Sequence, residues 1–242
     1  MIKNVLVTGG AGYIGAHTVD ALVKSGFSPI IVDDFRNSNP SVIKDLSTLI
    51  GFEPVFFNID ICDKSALKEI FANHQINAVI HFAAFKAVGE SVTEPLKYYQ
   101  NNLIGLLNII ECMQLFEVHE LVFSSSCTVY GQAKTMPITE DSSVQTAMSP
   151  YGNTKQIGEE IITDAAKATH INAILLRYFN PIGSHSSAEI GELPLGVPQN
   201  LVPFITQTGI GLRQELSVYG NDYPTPDGTA VRDYIHVVDL AK

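Results

Sequence analysis

The stretch that decides the fold is Thr8-Gly9-Gly10-Ala11-Gly12-Tyr13-Ile14-Gly15. It follows the apolar run that begins at Asn4 and precedes an amphipathic segment, so a glycine-rich turn joins a predicted strand to a predicted helix. Glycines at Gly9, Gly12 and Gly15 allow a tight turn, close approach of the backbone to a pyrophosphate, and close packing of the helix on the strand. In this context the GxxGxxG spacing predicts a dinucleotide-binding site at the helix N-terminus.

Further apolar runs repeat this pattern along the chain, with amphipathic segments between them. Alternation of short β-branched runs with longer helical patterns is typical of βαβ units and a parallel sheet. We therefore predict an α/β fold, a Rossmann-like doubly wound parallel sheet with right-handed crossovers. Its strands are predicted at residues 4–8, 28–33, 53–58, 78–82, 120–125 and 172–177.

Asp33, at the end of the second predicted strand, indicates which dinucleotide is bound. Its offset from the glycines is close to the roughly 20 residues at which a carboxylate accepts hydrogen bonds from the ribose of NAD. Asp33 and Asp34 together would repel the 2′-phosphate of NADP, whereas Arg36 would attract it. On balance the sequence predicts NAD.

Tyr151 and Lys155 follow Ser149-Pro150, a typical helix start, and their i, i+4 spacing puts phenol and ammonium on one helical face. We predict that the cation lowers the pKa of Tyr151 toward neutrality, so that the phenol can exchange a proton with a sugar hydroxyl. Ser126 ends a serine run at the fifth predicted strand, at the sheet edge where ligands bind, so its hydroxyl can bond to the reacting oxygen. Turn chemistry is the alternative interpretation of the serine run.

Charge and cysteine content exclude several classes of protein. The formal net charge is −10 and no basic stripe compensates for it, so we predict no nucleic-acid partner and no membrane attachment. Cys62, Cys112 and Cys127 are widely spaced and form no CxxC, which favours a reducing compartment, the cytoplasm. The histidines show no metal-ligand spacing, so we predict no metal.

These features together resemble the extended short-chain dehydrogenase/reductase family, and within it the NAD-dependent sugar epimerases. The resemblance covers essentially the whole chain. The strings that carry it are residues 33–38, Asp60-Ile61, and residues 81–91, 98–102, 176–181 and 228–237. The strings around Lys86 and Arg232 are far more specific than the glycine loop.

The resemblance implies a role for each matching residue. Tyr151 would be the acid/base, Lys155 its partner and a ligand of the nicotinamide ribose, and Ser126 the hydroxyl that assists proton movement. Around NAD would lie Gly9, Gly12, Tyr13, Ile14, Gly15, Asp33, Asp34, Phe35, Arg36, Asn37, Ser38, Asp60, Ile61, Phe82, Ala83, Ala84, Phe85, Lys86, Asn101, Ser126, Tyr151, Lys155 and Phe179. The UDP-sugar would be held by Ser126, Tyr151, Asn180, Asn200, Leu201, Ser217, Val218, Tyr219 and Arg232.

The activity that the resemblance implies is interconversion of UDP-glucose and UDP-galactose through a 4-keto intermediate, in a homodimer built through the two helices that flank the fifth strand. One alternative is a nucleotide-sugar dehydratase or decarboxylase on the same scaffold. Those relatives place an acidic residue after the serine/threonine run, whereas this chain has Ser126-Cys127-Thr128. A second alternative is an inactive NAD-binding fragment or regulator, which loss of Tyr151 or Lys155 would mark.

Composition changes after residue 180, where a loop-rich segment containing several Pro and Gly begins. We predict an NAD-binding Rossmann domain at residues 1–180 and a smaller, partial substrate-binding region at residues 181–242. Members of the family continue well past the point where this chain stops. If the 242 residues are the whole molecule, we expect NAD binding to survive and UDP-sugar affinity and turnover to be weakened or lost.

Overall fold

A six-stranded parallel sheet forms the centre of the molecule. The computed structural model describes residues 3–133 and 135–242. The strands are β1 (Asn4–Thr8), β2 (Ser28–Val32), β3 (Val55–Phe57), β4 (Ile76–His81), β5 (Glu120–Ser124) and β6 (Asn172–Leu176). Their order is β3-β2-β1-β4-β5-β6, so the direction of winding reverses between β1 and β4. This is the crevice where doubly wound sheets bind ligands, and the predicted fold class is confirmed.

Each strand lies within two residues of its predicted ends. Strands β2 and β4 end one residue before their predicted ends, Asp33 and Phe82, and the cause is the same in both. Both residues line a cavity at the carboxyl edge of the sheet, so the chain leaves the ladder one residue earlier than the apolar pattern predicts.

Helices cover both faces of the sheet. They are α1 (Tyr13–Lys24), α2 (Ser41–Ile50), α3 (Lys64–Asn73), α4 (Val88–Thr93), α5 (Pro95–Tyr99), α6 (Gly105–Leu115), α7 (Pro150–Ala168), α8 (Leu201–Gly209) and α9 (Val237–Ala241). Helices α3, α6 and α7 pack side by side on one face, and α1 packs with α2 and α9 on the other. Among the described residues, no helix has the length and apolar character that crossing a bilayer requires.

Two hydrophobic clusters fix these layers. The larger lies under α3, α6 and α7 and contains Leu6, Val79 and Ile109, all fully buried. The smaller lies under α1 and α2 around Val7 and Ile31. Because both faces of each central strand are covered, the strand residues are apolar on both sides, and this explains why they are recognisable as continuous runs.

A π-helix at Gln100–Ile104 joins α5 to α6 and positions two neighbouring asparagines. Asn101 lines the cavity. The Asn102 side chain donates to Phe85 O (3.1 Å) and to Thr154 Oγ1 (3.0 Å), and it accepts from Phe85 N (2.9 Å). Asn102 therefore ties the loop after β4 to α7, and the π-helix widens the helical turn at the site, as such insertions often do.

A second, smaller sheet begins at residue 180. Strands β7 (Asn180–Ile182) and β8 (Tyr234–His236) pair in parallel, and α8 lies between them in the chain. The division into domains at this point stays a prediction.

Candidate active site

A cavity of about 650 Å³ lies at the carboxyl edge of the sheet, beside the point where the strand order reverses. It brings together all the predicted cofactor residues except Phe35 and Asp60. Phe35 has φ 58° and packs on Phe56, with ring centroids 5.1 Å apart. Asp60 pairs instead with Arg36, at 2.9 Å. The roles of these residues stay predictions.

The glycine loop packs against neighbouring backbone too closely to admit side chains at Gly9 and Gly15. A Cβ on Gly9 would lie 2.7 Å from Ala83 N, and one on Gly15 would lie 2.1 Å from Gly9 O. No side chain caps the N-terminus of α1, and its first turn carries no acidic residue. The first-turn N–H groups and the helix dipole therefore suit a bound phosphate. This is a structural reason for glycine at these positions.

The Gly15→Ala variant is expected to lose bound NAD and to unfold at lower temperature. A contact of 2.1 Å with a backbone oxygen cannot be relieved by a side-chain rotation, so the glycine loop and α1 must separate. We expect a loss of about 3 kcal/mol, which lowers Tm by roughly 6–12 °C for a chain of this size. NAD released from the purified protein on heating, together with calorimetry, measures both effects.

Gly89→Ala is the matched control, because nothing lies within 4 Å of a Cβ at Gly89 and the residue is inside helix α4. Alanine there is expected to leave NAD content unchanged. Parental NAD content and Tm in Gly15→Ala would contradict the conclusion that close packing of the glycine loop requires glycine at this position.

Asp33 organises the loop around the proposed ribose position. Its Oδ2 accepts from Ala11 N at 3.1 Å, and its Oδ1 accepts from Phe35 N and Ser38 Oγ, each at 2.9 Å. Burial raises the pKa of Asp33, and these three hydrogen bonds oppose that rise. The carboxylate thus joins the glycine loop to the turn after β2 and remains at the cavity wall.

Arg36 is held by acidic neighbours. Its guanidinium pairs with Asp34 and, at 2.9 Å, with Asp60, and it stacks 5.3 Å from the Phe85 ring centroid. The residue that could attract a 2′-phosphate is thus already neutralised by two carboxylates. This arrangement favours NAD over NADP.

The three predicted catalytic residues converge where β5 ends beside α7. Tyr151 is in the first turn of α7, whose N-cap Ser149 accepts from Gly152 N at 3.1 Å. Lys155 follows one turn later; it is 4% exposed and its Nζ donates to Ser124 O at 2.6 Å. Ser126 begins a 3₁₀ turn, Cys127–Tyr130, and accepts from the N–H of Thr128 at 3.2 Å. Tyr151, Lys155 and Ser126 all line the cavity.

The predicted lowering of the Tyr151 pKa is wrong for this arrangement. Burial raises the pKa of Tyr151 above its ordinary value, and hydrogen bonding to Ser126 opposes the rise only in part. The Lys155 ammonium lies 5.9 Å from the Tyr151 ring centroid because the carbonyl of Ser124 holds it. Burial also lowers the pKa of Lys155 to about 8, although Glu159 opposes this. His81, buried beneath them, has a pKa lowered to about 3 by burial and by Lys155.

Sequence reasoning missed a polar network directly under these residues. Glu159 is 6% exposed, and its carboxylate accepts from Ser125 Oγ and from the Nε (2.9 Å) and Nη2 (2.6 Å) of Arg177. Ser124 Oγ pairs with the hydroxyl of Tyr178. A signal was present, since Glu159 is one helical turn after Lys155 and shares its face.

Only part of the predicted substrate set reaches the cavity. Asn180 and Asn200 line it, whereas Leu201 begins α8 outside it. Also outside its wall are Ser217, Val218, Tyr219 and Arg232. Tyr219 is 90% exposed. The charge of Arg232 still reaches Cys127, whose thiol pKa it lowers against a larger rise caused by burial. The substrate roles of all these residues stay predictions.

Comparison with known proteins gives consistent results. The family model described as GDP-mannose 4,6 dehydratase matches residues 6–242. The chain is 54% identical over 239 residues to a UDP-glucose 4-epimerase of Dictyostelium discoideum, covering 98% of this chain and 69% of that protein. It is 50% identical over 248 residues to a UDP-glucose 4-epimerase of Mus musculus, covering 100% of this chain and 72% of that protein.

Solved structures that resemble this chain are also UDP-glucose 4-epimerases. A UDP-glucose-4-epimerase from Stenotrophomonas maltophila, with bound NAD and formylated UDP-arabinopyranose, has a TM-score of 0.94 at 49% identity. The match covers 99% of this chain and 71% of that one. A UDP-glucose 4-epimerase from Bifidobacterium longum, in complex with NAD+ and UDP, has a TM-score of 0.96 at 45% identity over 99% of this chain and 72% of that one.

Proposed function

The chain belongs to the UDP-glucose 4-epimerase family, and from that premise we propose that Tyr151, Lys155 and Ser126 carry out its proton transfer. The protein is an NAD-dependent enzyme that epimerises UDP-hexoses at carbon 4. The dehydratase model describes a neighbouring family of nucleotide-sugar enzymes. The observation that carries the residue proposal is the meeting of these three side chains at the wall of the glycine-loop cavity.

In the proposed mechanism Tyr151 takes the proton from the 4-hydroxyl of the sugar and returns it when the 4-keto sugar is reduced. Ser126 donates a hydrogen bond to the same oxygen. Because burial favours the neutral phenol, the nearby Lys155 ammonium is needed to stabilise the phenolate. Bound NAD supplies the acceptor that takes up a hydride at carbon 4 and gives it back.

The residues present fit NAD. The glycine loop packs so closely that a Cβ at Gly9 or Gly15 would meet neighbouring backbone, which brings the loop close to α1, and the first turn of α1 supplies N–H donors for a pyrophosphate. Asp33 would accept from the adenosine ribose, and Lys155 would contact the nicotinamide ribose; both residues line the cavity, which supports these roles.

The experiment is to incubate the purified chain with UDP-galactose, without added NAD, and to follow UDP-glucose formation. Formation of UDP-glucose that is lost in Tyr151→Phe supports the proposed roles. An inactive chain that nevertheless releases NAD on denaturation would limit the chain to cofactor binding and would contradict the proposed catalytic roles in this molecule.

We propose that residues 1–180 form the NAD-binding domain and residues 181–242 part of the substrate-binding region. Gln199 and Asn200 support this, since they reach the cavity from that region. Residues 217–219 and Arg232 would contact the UDP-sugar when it is bound, with the planar guanidinium suited to a diphosphate. We also propose a cytoplasmic location, because Cys62, Cys112 and Cys127 are all free thiols.

We further propose a homodimer that forms through α6 and α7, the helices on either side of β5 in the chain. Ile104, the last residue of the π-helix, and Leu107, in the first turn of α6, are 42% and 43% exposed and lie about one turn apart. Leu107→Glu is expected to convert the dimer to a monomer in analytical ultracentrifugation, because the interface would bury an unpaired charge. Leu212→Glu, at another exposed leucine, is the control and should leave the dimer intact. If Leu107→Glu also sediments as a dimer, the dimer interface does not include Leu107 and the proposed interface is wrong.

A further inference from the structure

Glu159 is a buried carboxylate to which the mechanism above assigns no task. It is 6% exposed and lies one helical turn after Lys155 on α7. Its partner is Arg177, the first residue after β6, whose side chain is 20% exposed. Two hydrogen bonds join guanidinium and carboxylate in the bidentate geometry, and Arg177 also stacks 5.0 Å from the Tyr130 ring centroid. A buried pair of this kind adds little net stability compared with apolar residues, so its presence points to another task.

The third bond of Glu159 connects it to the reacting site. Ser125 Oγ donates to Glu159 Oε1. Ser125 is flanked by Ser124, whose carbonyl holds the Lys155 ammonium, and by Ser126, the proposed hydroxyl at the sugar. One carboxylate therefore fixes the strand end that orients Lys155 and Ser126.

We propose that Glu159 is a positioning residue for proton transfer, which anchors the end of β5 through Ser125, joins it to the end of β6 through Arg177, and supplies a negative charge one helical turn from Lys155. The inference rests on the role proposed for Lys155 above. It extends that role by naming the neighbour that raises the pKa of the lysine.

Among the groups around Lys155, Glu159 is the one whose negative charge favours the ammonium form of the lysine. The titratable groups near Lys155 are His81, at the end of β4, and Tyr151 and Glu159 on α7. Behind them, Arg177 pairs with Glu159, and Tyr178 pairs with Ser124 Oγ. His81 is neutral, since burial and Lys155 hold its pKa at about 3. Burial lowers the pKa of Lys155, and Glu159 is the neighbour that raises it.

The test is to titrate Lys155 by NMR in protein labelled with ¹³C at the lysine ε-carbon, with its signal assigned by its loss in Lys155→Met. In Glu159→Gln the midpoint of Lys155 is expected to fall by about one pH unit relative to the parent chain. The alkaline limb of kcat/KM for UDP-galactose should move in the same direction. Glu160→Gln is the matched control, because it removes the same charge from the next, exposed position of α7, and it should leave the midpoint unchanged.

The outcomes separate the two proposals. An unchanged Lys155 midpoint in folded Glu159→Gln would overturn the inference about Glu159, whatever the activity. Full turnover in Lys155→Met would instead overturn the proposed role of the lysine. If Glu159→Gln does not fold, the double variant Glu159→Leu with Arg177→Met is compared with Arg177→Met alone, so that the two chains differ only at Glu159. A lower Lys155 midpoint in the double variant than in Arg177→Met supports the proposal, and an equal one overturns it.

Discussion

The Tyr151→Phe variant is expected to lose about a thousandfold in kcat for UDP-galactose, a typical value for removal of a general acid/base. The reason is local. The phenol lies at the cavity wall, and Ser126 is its hydrogen-bonding neighbour. Phenylalanine keeps the ring and its packing, so NAD content and Tm should stay close to those of the parent chain. Turnover and NAD released on denaturation are measured on the same preparations.

Tyr99→Phe is the matched control for this variant. It removes the hydroxyl of a half-buried tyrosine on α5 that does not line the cavity. That hydroxyl accepts a hydrogen bond from Asn153 Nδ2 at 2.7 Å, and Asn153 is on the same helix as Tyr151. Its turnover should stay within about threefold of the parent value, because Tyr99 does not line the cavity. The lost hydrogen bond should lower the stability of the fold by only about 1 kcal/mol. Turnover of Tyr151→Phe within that same range would assign the proton to another group, with Ser126 the first to test.

The sheet could be predicted from the sequence because its central strands are buried on both faces. Val5, Val7 and Val79 are among the residues that make those runs continuous, and each is almost fully buried. The π-helix had no comparable signal. Its one extra residue per turn interrupts a helical pattern that resumes at once in α6, so the placement of Asn101 and Asn102 depends on contacts with the β4 loop and with α7.

The site was predictable in its residue types and not in its electrostatics. The spacing of Tyr151 and Lys155 puts both on one face of α7, but it does not reveal that Ser124 O takes the ammonium. That contact depends on how β5 meets α7, which is a long-range property. For the same reason the Glu159 to Arg177 pair joins residues that sequence periodicity cannot connect.

The Lys155→Met variant is expected to lose most of its turnover, by about a hundredfold or more, and yet to be more stable than the parent chain near pH 7. Burial lowers the pKa of Lys155 from 10.5 to about 8, so charging this lysine is harder in the folded than in the unfolded chain. Below pH 8 Lys155 is charged in the folded and in the unfolded parent chain, so the full cost of charging the buried lysine, about 3 kcal/mol, lowers the free energy of unfolding. Methionine preserves the packing but loses the hydrogen bond to Ser124 O, which leaves a net gain of about 2 kcal/mol.

The pH dependence follows from the same pKa difference. Between about pH 8 and 10.5 the unfolded parent chain binds a proton that the folded chain has released, so parent stability rises with pH through this window. The excess stability of Lys155→Met, measured by urea unfolding, should therefore shrink to near zero by about pH 9.5. Lys167→Met removes an exposed lysine of the same helix and should show no such trend. A difference that is constant with pH, or a variant less stable than the parent near pH 7, would mean that the buried ammonium is fully compensated by its surroundings.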